Sequence, residues 1–349
     1  MKSMKGPAIF LAQFLRDEPP YDNLKNIGKW VSDLGYKGVQ IPTWDPRVID
    51  LAKAAESKAY CDDVKATLAG LGLEVTELAA HLQGQVLAMH PAYEVAFQAF
   101  YPQGADDGQR VEWATDQLTK AIHASVNFGL DSVPVLSGGF AWHMVYPWPQ
   151  RPPGLIEQAF EELYKRWEPV LDLGRDKGVV LSYELHPGSD LFDGATFERF
   201  LDVSKGHPAA CINYDPSHFL LQQLDYCEFI QLYADRIRSF HVKDAEFQPS
   251  GRVGVYGGYE SWAKRAGRFR SLGDGQVDFR RVFTLLTEAG YTGWAVLEWE
   301  CCVKSPEQGA REGAPFIAQH IIEATEVAFD DFAGGKTDVK TNRRILGLA

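Results

Sequence analysis

Short apolar runs and helical runs alternate along most of this 349-residue chain, and that alternation constrains its fold more than any other feature. Runs at 8–14, 38–42, 73–80, 132–136, 179–184, 210–215, 237–241 and 294–300 read as strands. Between and after them lie helical segments near 24–34, 61–71, 111–128, 155–176, 196–204, 225–235, 279–289 and 313–327. In the first of these, Leu24, Ile27, Val31 and Leu34 share one face and Gly35 ends the run. Eight strand–helix units are the number that closes a parallel barrel, and no break in composition marks a linker. The expectation is an α/β fold, a single (β/α)8 TIM barrel over about 8–327 with a polar tail at 328–349. An open doubly wound sheet is the runner-up. It calls for a glycine-rich phosphate turn after strand one, where this chain has Gln13-Phe14-Leu15-Arg16-Asp17.

Long connections follow strands three, four and seven, at about 82–109, 137–153 and 245–276. In a barrel all three belong to the end where the strands finish, and should roof a pocket or build a subunit contact. They hold most of the prominent aromatics: Trp142 and Trp148 after strand four, and Tyr256, Tyr259 and Trp262 after strand seven. Trp44 follows strand two. Such side chains stack on sugar rings, or pack in a core or interface. Arg265, Arg268 and Arg270 could receive a phosphate or carboxylate, or pair with acids of a neighbouring subunit.

Composition narrows the partners. A charge of −12, from 35 basic and 47 acidic residues, argues against a nucleic-acid surface. No run approaches the roughly 18 apolar residues of a membrane span, and Ala8 to Phe14 is too short for a signal peptide's core. The five cysteines lack Cys-x-x-Cys spacing and read as reduced thiols. A cytoplasmic protein with no membrane or nucleic-acid partner is expected, as a homo-oligomer, with a small partner subunit left open.

The chemistry lies at the strand ends. Glu184 closes Val-Val-Leu-Ser-Tyr-Glu, Asp215 closes Ala-Cys-Ile-Asn-Tyr-Asp, His241 closes Ile-Arg-Ser-Phe-His, and Glu298 sits late in Trp-Ala-Val-Leu-Glu-Trp-Glu. In parallel neighbouring strands these four side chains meet at one mouth. Buried carboxylates there demand a cation. Three carboxylates and one imidazole suit a divalent ion, Mn²⁺ first, with Mg²⁺, Co²⁺ and Zn²⁺ as alternatives. Glu300 competes with Glu298 for the ligand position.

Six further positions are candidate substrate contacts, with Lys243 beside them. His186 and Glu300 lie two residues past a proposed ligand and so face the same way, one layer higher. His218 follows in Asp-x-x-His. Asp244 in His-Val-Lys-Asp could fix the imidazole, bind a hydroxyl or merely cap the loop, and Lys243 could neutralise an oxyanion. His81 closes strand three, and His143 lies in the loop after strand four.

The order Glu … Asp-x-x-His … His … Glu, with Gly-x-Gly-x-Val-Asp at 273–278, resembles the xylose-isomerase-like sugar isomerase/epimerase superfamily. Ketose 3-epimerases, inosose-processing enzymes and endonuclease-IV-type proteins belong to it. The resemblance is dense from Val179 to Cys302. It implies one divalent metal on Glu184, Asp215, His241 and Glu298, proton transfer by Glu184 and Glu298, and substrate contact by His218.

The expected activity is a metal-dependent isomerase or epimerase on an unphosphorylated sugar, keto-sugar or cyclitol. A cation makes the carbon beside a carbonyl acidic by stabilising the enediolate, and a carboxylate takes the proton. The alternative is a lyase, dehydratase or C-glycoside-cleaving subunit on a 3-keto-sugar, where the same carbanion expels a substituent. DNA repair of the endonuclease-IV type would need more histidines and a basic groove. A non-enzymatic sugar-binding barrel is the remaining reading.

Overall fold

The computed structural model describes residues 3–325 and 338–348. Ten strands follow in chain order: β1 Lys5–Phe10, β2 Gly38–Pro42, β3 Glu74–Ala79, β4 Ser132–Val135, β5 Val180–Glu184, β6 Ala210–Tyr214, β7 Ile237–Val242, β8 Asp244–Phe247, β9 Gly267–Arg270 and β10 Trp294–Leu297. Eight form one parallel sheet in the order β3-β2-β1-β10-β7-β6-β5-β4. A hydrogen bond from the Ala80 N–H to the Pro134 carbonyl, 2.8 Å, joins its two edges and nearly closes the barrel. The expected (β/α)8 architecture is the one observed.

The helices form because their apolar residues recur on one face. Phe279, Val282, Phe283 and Leu286 are the buried positions of Phe279–Glu288, and Ile27, Gly28 and Val31 those of Leu24–Asp33. They pack on outward-facing strand residues such as Val39, Leu181, Ile212 and Phe240 in one large apolar layer. Each fully buried Leu or Phe there contributes about 1.5–3 kcal/mol. Inside the barrel, Ala8, Phe10, Ala79, Trp294 and Val296 make a second, smaller cluster. Beside it the Ser132 hydroxyl pairs with those of Ser182 (2.7 Å) and Ser239 (2.9 Å). This small-residue floor leaves space for longer polar side chains above it.

Several boundaries differ from the expectation. β1 begins at Lys5 and ends at Phe10 rather than spanning 8–14. Two helices, Leu51–Glu56 and Lys58–Ala69, replace the single one before β3. The helix set at 313–327, whose last two positions lie outside the described residues, runs instead over Pro306–His320: Ser305 caps it by accepting from the Gln308 N–H, and Pro306 takes the first turn. Residues 82–109 hold a helix, His81–Leu87, and a shorter one at Glu94–Phe97. The 245–276 connection is not all loop, since β8 and β9 pair antiparallel within it. Of the tail, 328–337 and 349 lie outside the described residues, and Val339–Ile345 is helical. Among the described residues no helix is long and apolar enough to cross a membrane.

All three long connections leave the carboxyl ends of their strands, as expected. The 82–109 and 137–153 segments meet where Met89 bridges Gly139 and where the His90 and His143 rings lie 4.1 Å apart. Tyr146 touches Tyr256, 5.9 Å between centroids, which links the second segment to the third.

Candidate metal centre at the barrel mouth

Strand alternation aims three polar ladders into the barrel: Ser182-Glu184-His186 from β5, Cys211-Asn213-Asp215 from β6, and Ser239-His241-Lys243 from β7. β10 adds Glu298 immediately past its end. Asp215 also caps the helix Pro216–Leu221, its Oδ1 accepting from the Ser217 N–H at 2.8 Å. That helix carries His218 back over the mouth.

These residues converge. His241 Nδ1 lies 3.0 Å from Glu184 Oε1 and 3.2 Å from Glu298 Oε2. His218 Nε2 lies 3.4 Å from Asp215 Oδ2 and 4.0 Å from Glu184 Oε1. One donor atom each from Glu184, Asp215, His218 and Glu298 fits within 4.8 Å of the others, and so does an overlapping trio of His81, Glu184 and His241. Glu184 belongs to both sets. The cluster therefore offers three imidazoles, His81, His218 and His241, where the sequence pattern assigned His241 alone to the metal. All six residues are buried.

The electrostatics show why this cluster needs positive charge. Burial, with Glu184 and Glu298 close by, pushes the Asp215 carboxyl up to about 8 even though Lys243 pulls it down. Its Oδ2 is buried with no hydrogen bond. His241 rises to about 10 against the cost of burial, because Glu298 and Glu184 flank it. Burial opposes the charge on Glu298, but Lys243 and His241 hold it well below the usual range. Three buried carboxylates around an orphaned oxygen and a re-entrant imidazole match the donor chemistry of a divalent cation. Glu184, Asp215, Glu298 and His241 or His218 would hold it.

Lys243 is the principal residue that sequence reasoning undervalued. Its ammonium is buried, 3.1 Å from Glu298 Oε2, 2.7 Å from Glu300 Oε2 and 3.7 Å from Asp215 Oδ2. Burial disfavours its charge, yet Glu298, Glu300 and Asp215 together keep it protonated. It lies two residues past His241, so period-two alternation aims it into the barrel. Gln13, Gln40 and Asn213 were also missed. Gln13 donates to Glu298 Oε1 (3.2 Å). Gln40 Oε1 meets His241 Nε2 at 3.0 Å, and Asn213 Nδ2 lies 3.2 Å from His241 Nδ1. A polar residue inside an apolar strand run was the available signal for Gln40 and Asn213.

The outer candidates divide. His81 lies against Phe10 and His241 at centroid distances of 5.6 and 5.8 Å. Burial pushes it down to about 4, leaving a neutral ring. Its Nε2 is 3.5 Å from Glu184 Oε2, and neither ring nitrogen has a hydrogen bond. His186 packs edge-on to His218, 4.6 Å between centroids. Glu300 reaches the cluster only through Lys243 and is the more exposed of the two glutamates, its side chain 42 % accessible against 8 % for Glu298.

Asp244 and His143 fall outside the cluster. Asp244 sits at an odd offset from His241, which turns it to the opposite face. Its carboxylate accepts from the backbone N–H groups of Ala245, Gly273, Gly275 and Val277 and closes the hairpin loop. Of its three readings, loop capping is the one seen. His143 is exposed, its ring tilted at 43° against that of His90.

Beside the cluster lies a pocket of about 360 Å³ lined by Gln13, Trp262, Phe269, Trp299, Glu300, Cys301 and Cys302. Of the loop aromatics singled out in the sequence, Trp262 reaches it, while Trp148, Tyr256 and Tyr259 are exposed elsewhere. Arg268 and Arg270 are spent on Glu246, and Arg265 stacks on Trp262 at 4.8 Å. A larger cavity, about 840 Å³, lies where the strands begin, bordered by Lys5, Glu74, Asp131, Arg238 and Trp294. It is at the end of the barrel opposite the carboxylates. All five cysteines are free.

Comparison with known proteins agrees with the fold. A family model described as xylose isomerase-like TIM barrel matches residues 29–320. An inosose dehydratase of Geobacillus thermodenitrificans is 28% identical over 148 residues, 42% of this chain and 49% of that protein. The chain thus spans about half the length of the curated relatives it matches. Among solved structures, the 3-keto-D-glucoside 4-epimerase of E. coli superposes with a TM-score of 0.60 at 14% identity, over 89% of this chain and 98% of that one. A xylose isomerase-like barrel from Mycobacterium smegmatis, solved in complex with magnesium, gives 0.60 at 16% identity over 92% and 96%. At those identities the likeness is one of fold.

Proposed function

Because this chain belongs to the xylose isomerase-like TIM-barrel family, we propose that it is a divalent-metal-dependent enzyme that abstracts a proton α to the carbonyl of an unphosphorylated keto-sugar or cyclitol. The observation that carries the reading is the convergence of Glu184, Asp215, Glu298 and His218, with His241 against Glu184 and Glu298, all buried, while Asp215 Oδ2 lacks a hydrogen-bond partner. A bound Mn²⁺ or Mg²⁺ supplies Lewis acidity toward a carbonyl or hydroxyl oxygen.

The chain's own groups supply the rest. Glu184 and Glu298 each have a second carboxylate oxygen with which to take or return a proton at carbon. Lys243 holds a fixed positive charge beside them, placed to offset an oxygen that gains negative charge as the C–H bond breaks. His81 is neutral with both nitrogens unpaired, which suits hydrogen bonds to substrate hydroxyls. Gln13 and Glu300 border the pocket at its polar edge, while Trp262, Phe269 and Trp299 wall the remainder, exclude water and offer ring faces. The salt-bridged state of Arg268 and Arg270 supports a substrate without phosphate.

Returning the proton gives isomerisation or epimerisation. If instead the electron pair expels a β-hydroxyl, which leaves as water after protonation, the product is an unsaturated ketone. Similarity to the inosose dehydratases favours this second outcome. Product analysis after incubating Mn²⁺-loaded protein with an inosose and with a 3-keto-hexose separates the two. Loss of water from either supports the dehydratase, and an isomer of unchanged mass supports the epimerase. No metal-dependent product from either, nor from related keto-sugars, would sink the proposal.

A further inference from the structure

As a ligand of the proposed cation His241 would present a lone pair, and its ring has two nitrogens that could carry the proton. Nδ1 faces Glu184 and Glu298 at 3.0 and 3.2 Å, on the side where the cation would sit. Nε2 points away, 3.0 Å from Gln40 Oε1. Gln40 is wholly buried on β2, and its amide nitrogen donates to Glu77 Oε2 at 3.2 Å. Glu77 lies on the neighbouring strand β3, 4 % exposed, its side chain inside the barrel beneath the cluster.

An amide side chain has one accepting and one donating end, so fixing one end fixes the other. The Glu77 carboxylate oxygen accepts, so the Gln40 NH₂ turns toward it. Gln40 Oε1 must then face His241, where it can only accept. Nε2 therefore keeps its proton, and the proton that a cation would displace is the one on Nδ1, facing Glu184 and Glu298. Phe10 stacks on the His241 ring at 5.8 Å and 25° and holds its plane. Burying a carboxylate in a barrel floor is costly. Orienting a ligand two groups away is a use that offsets the cost.

We infer that Glu77 and Gln40 form a positioning relay that sets the tautomer and direction of His241 for metal binding through Nδ1. The inference rests on the metal-site reading proposed above. It makes Glu77 and Gln40 positioning residues, neither of which touches substrate or metal. A purely structural role would instead predict lost stability at unchanged metal affinity.

The test is titration of chelator-stripped parent protein and of the Gln40→Leu, Glu77→Leu and Glu77→Gln variants with Co²⁺. Gln40→Leu should weaken Co²⁺ binding about 10–100-fold, the range for removing a ligand's hydrogen-bond partner, and Glu77→Leu should follow in the same direction. Glu77→Gln should stay within about 3-fold of the parent, because its amide oxygen can still accept from Gln40. Melting temperatures of the stripped forms report folding separately. In Co²⁺-loaded parent the Nε2 proton should give a paramagnetically shifted NMR signal that exchanges slowly with solvent, and in Gln40→Leu it should exchange fast or vanish. Parent-like affinity in both leucine variants overturns the relay. A loss in Gln40→Leu alone overturns the part assigned to Glu77. If Gln40→Leu does not fold, the contrast between Glu77→Leu and Glu77→Gln decides. A parent that binds no Co²⁺ defeats the metal reading itself, a distinct result.

Discussion

Asp215 is the residue on which the site's electrostatics turn. Its carboxyl is pushed up to about 8 when only Lys243 and the imidazoles attend it, so a cation is what lets it ionise near neutrality. Asp215→Asn should lower divalent-metal affinity by more than the roughly 10–100-fold typical of outer partners, measured by titration calorimetry. Glu184→Gln and Glu298→Gln should each cut kcat by at least about 10²-fold with substrate still bound, as expected for groups that transfer protons. Parent-like turnover in both would move the proton carrier to His81 or His186. His81 makes a separate prediction for metal-free protein. Its folded value of about 4 lies below the ordinary 6.5 because burial disfavours the imidazolium. A depressed histidine contributes stability above the unfolded value and loses it as pH falls through 6.5 toward 4. That is about 3 kcal/mol for the full shift. Urea unfolding of His81→Phe in chelator should show a flatter acid limb than the parent, and an unchanged limb would assign the titration to another group.

At the scale of elements, the 245–276 connection carries the most information that the sequence did not show. The pattern placed its ends correctly and signalled nothing of β8 and β9. Four-residue strands such as Asp244–Phe247 and Gly267–Arg270 are too short for a periodic signal, and their pairing spans a gap that no local pattern reveals. The hairpin is instead tied by Asp244, whose four backbone donors come from both ends of the connection. Asp244→Ala should cost roughly 3 kcal/mol, because buried amides lose their acceptor, and thermal melts would measure it. The tip of the hairpin carries Trp262 to the pocket wall. Replacing 248–265 with a short glycine-serine link should leave metal affinity unchanged and raise substrate KM about 10-fold through the lost aromatic wall. Lost metal binding in that variant would show that the tip supports the cluster itself.

At the scale of the molecule, the barrel was legible because both faces of its strands are covered, so the apolar runs stand out between amphipathic helices. Glu184, Asp215, His241 and Glu298 were legible for a related reason, since a charged residue ending an apolar run is conspicuous. Gln40, Asn213 and Lys243 were not singled out as cluster members, because placing them requires knowing which strands neighbour in space. His218 reaches the cluster from a helix, beyond any strand-period argument, and was found through the Asp-x-x-His pattern. A cation bridging β5, β6, β7 and β10 binds the folded state alone and should raise the melting temperature. The gain is about 2.7 kcal/mol at a concentration 100 times Kd, and scanning calorimetry with and without Mn²⁺ would register it.

The central claim is that this barrel labilises a carbon-bound hydrogen with the help of a metal. Proton NMR of an inosose or 3-keto-hexose in D₂O with Mn²⁺-loaded protein, followed after the protein and metal are removed, tests it most directly. The account predicts deuterium replacing the hydrogen α to the carbonyl, or its loss with water in an eliminated product. Chelated protein and Glu184→Gln should show neither. Turnover that leaves the α-hydrogen in place, or exchange that persists at the full rate in chelator, would contradict it.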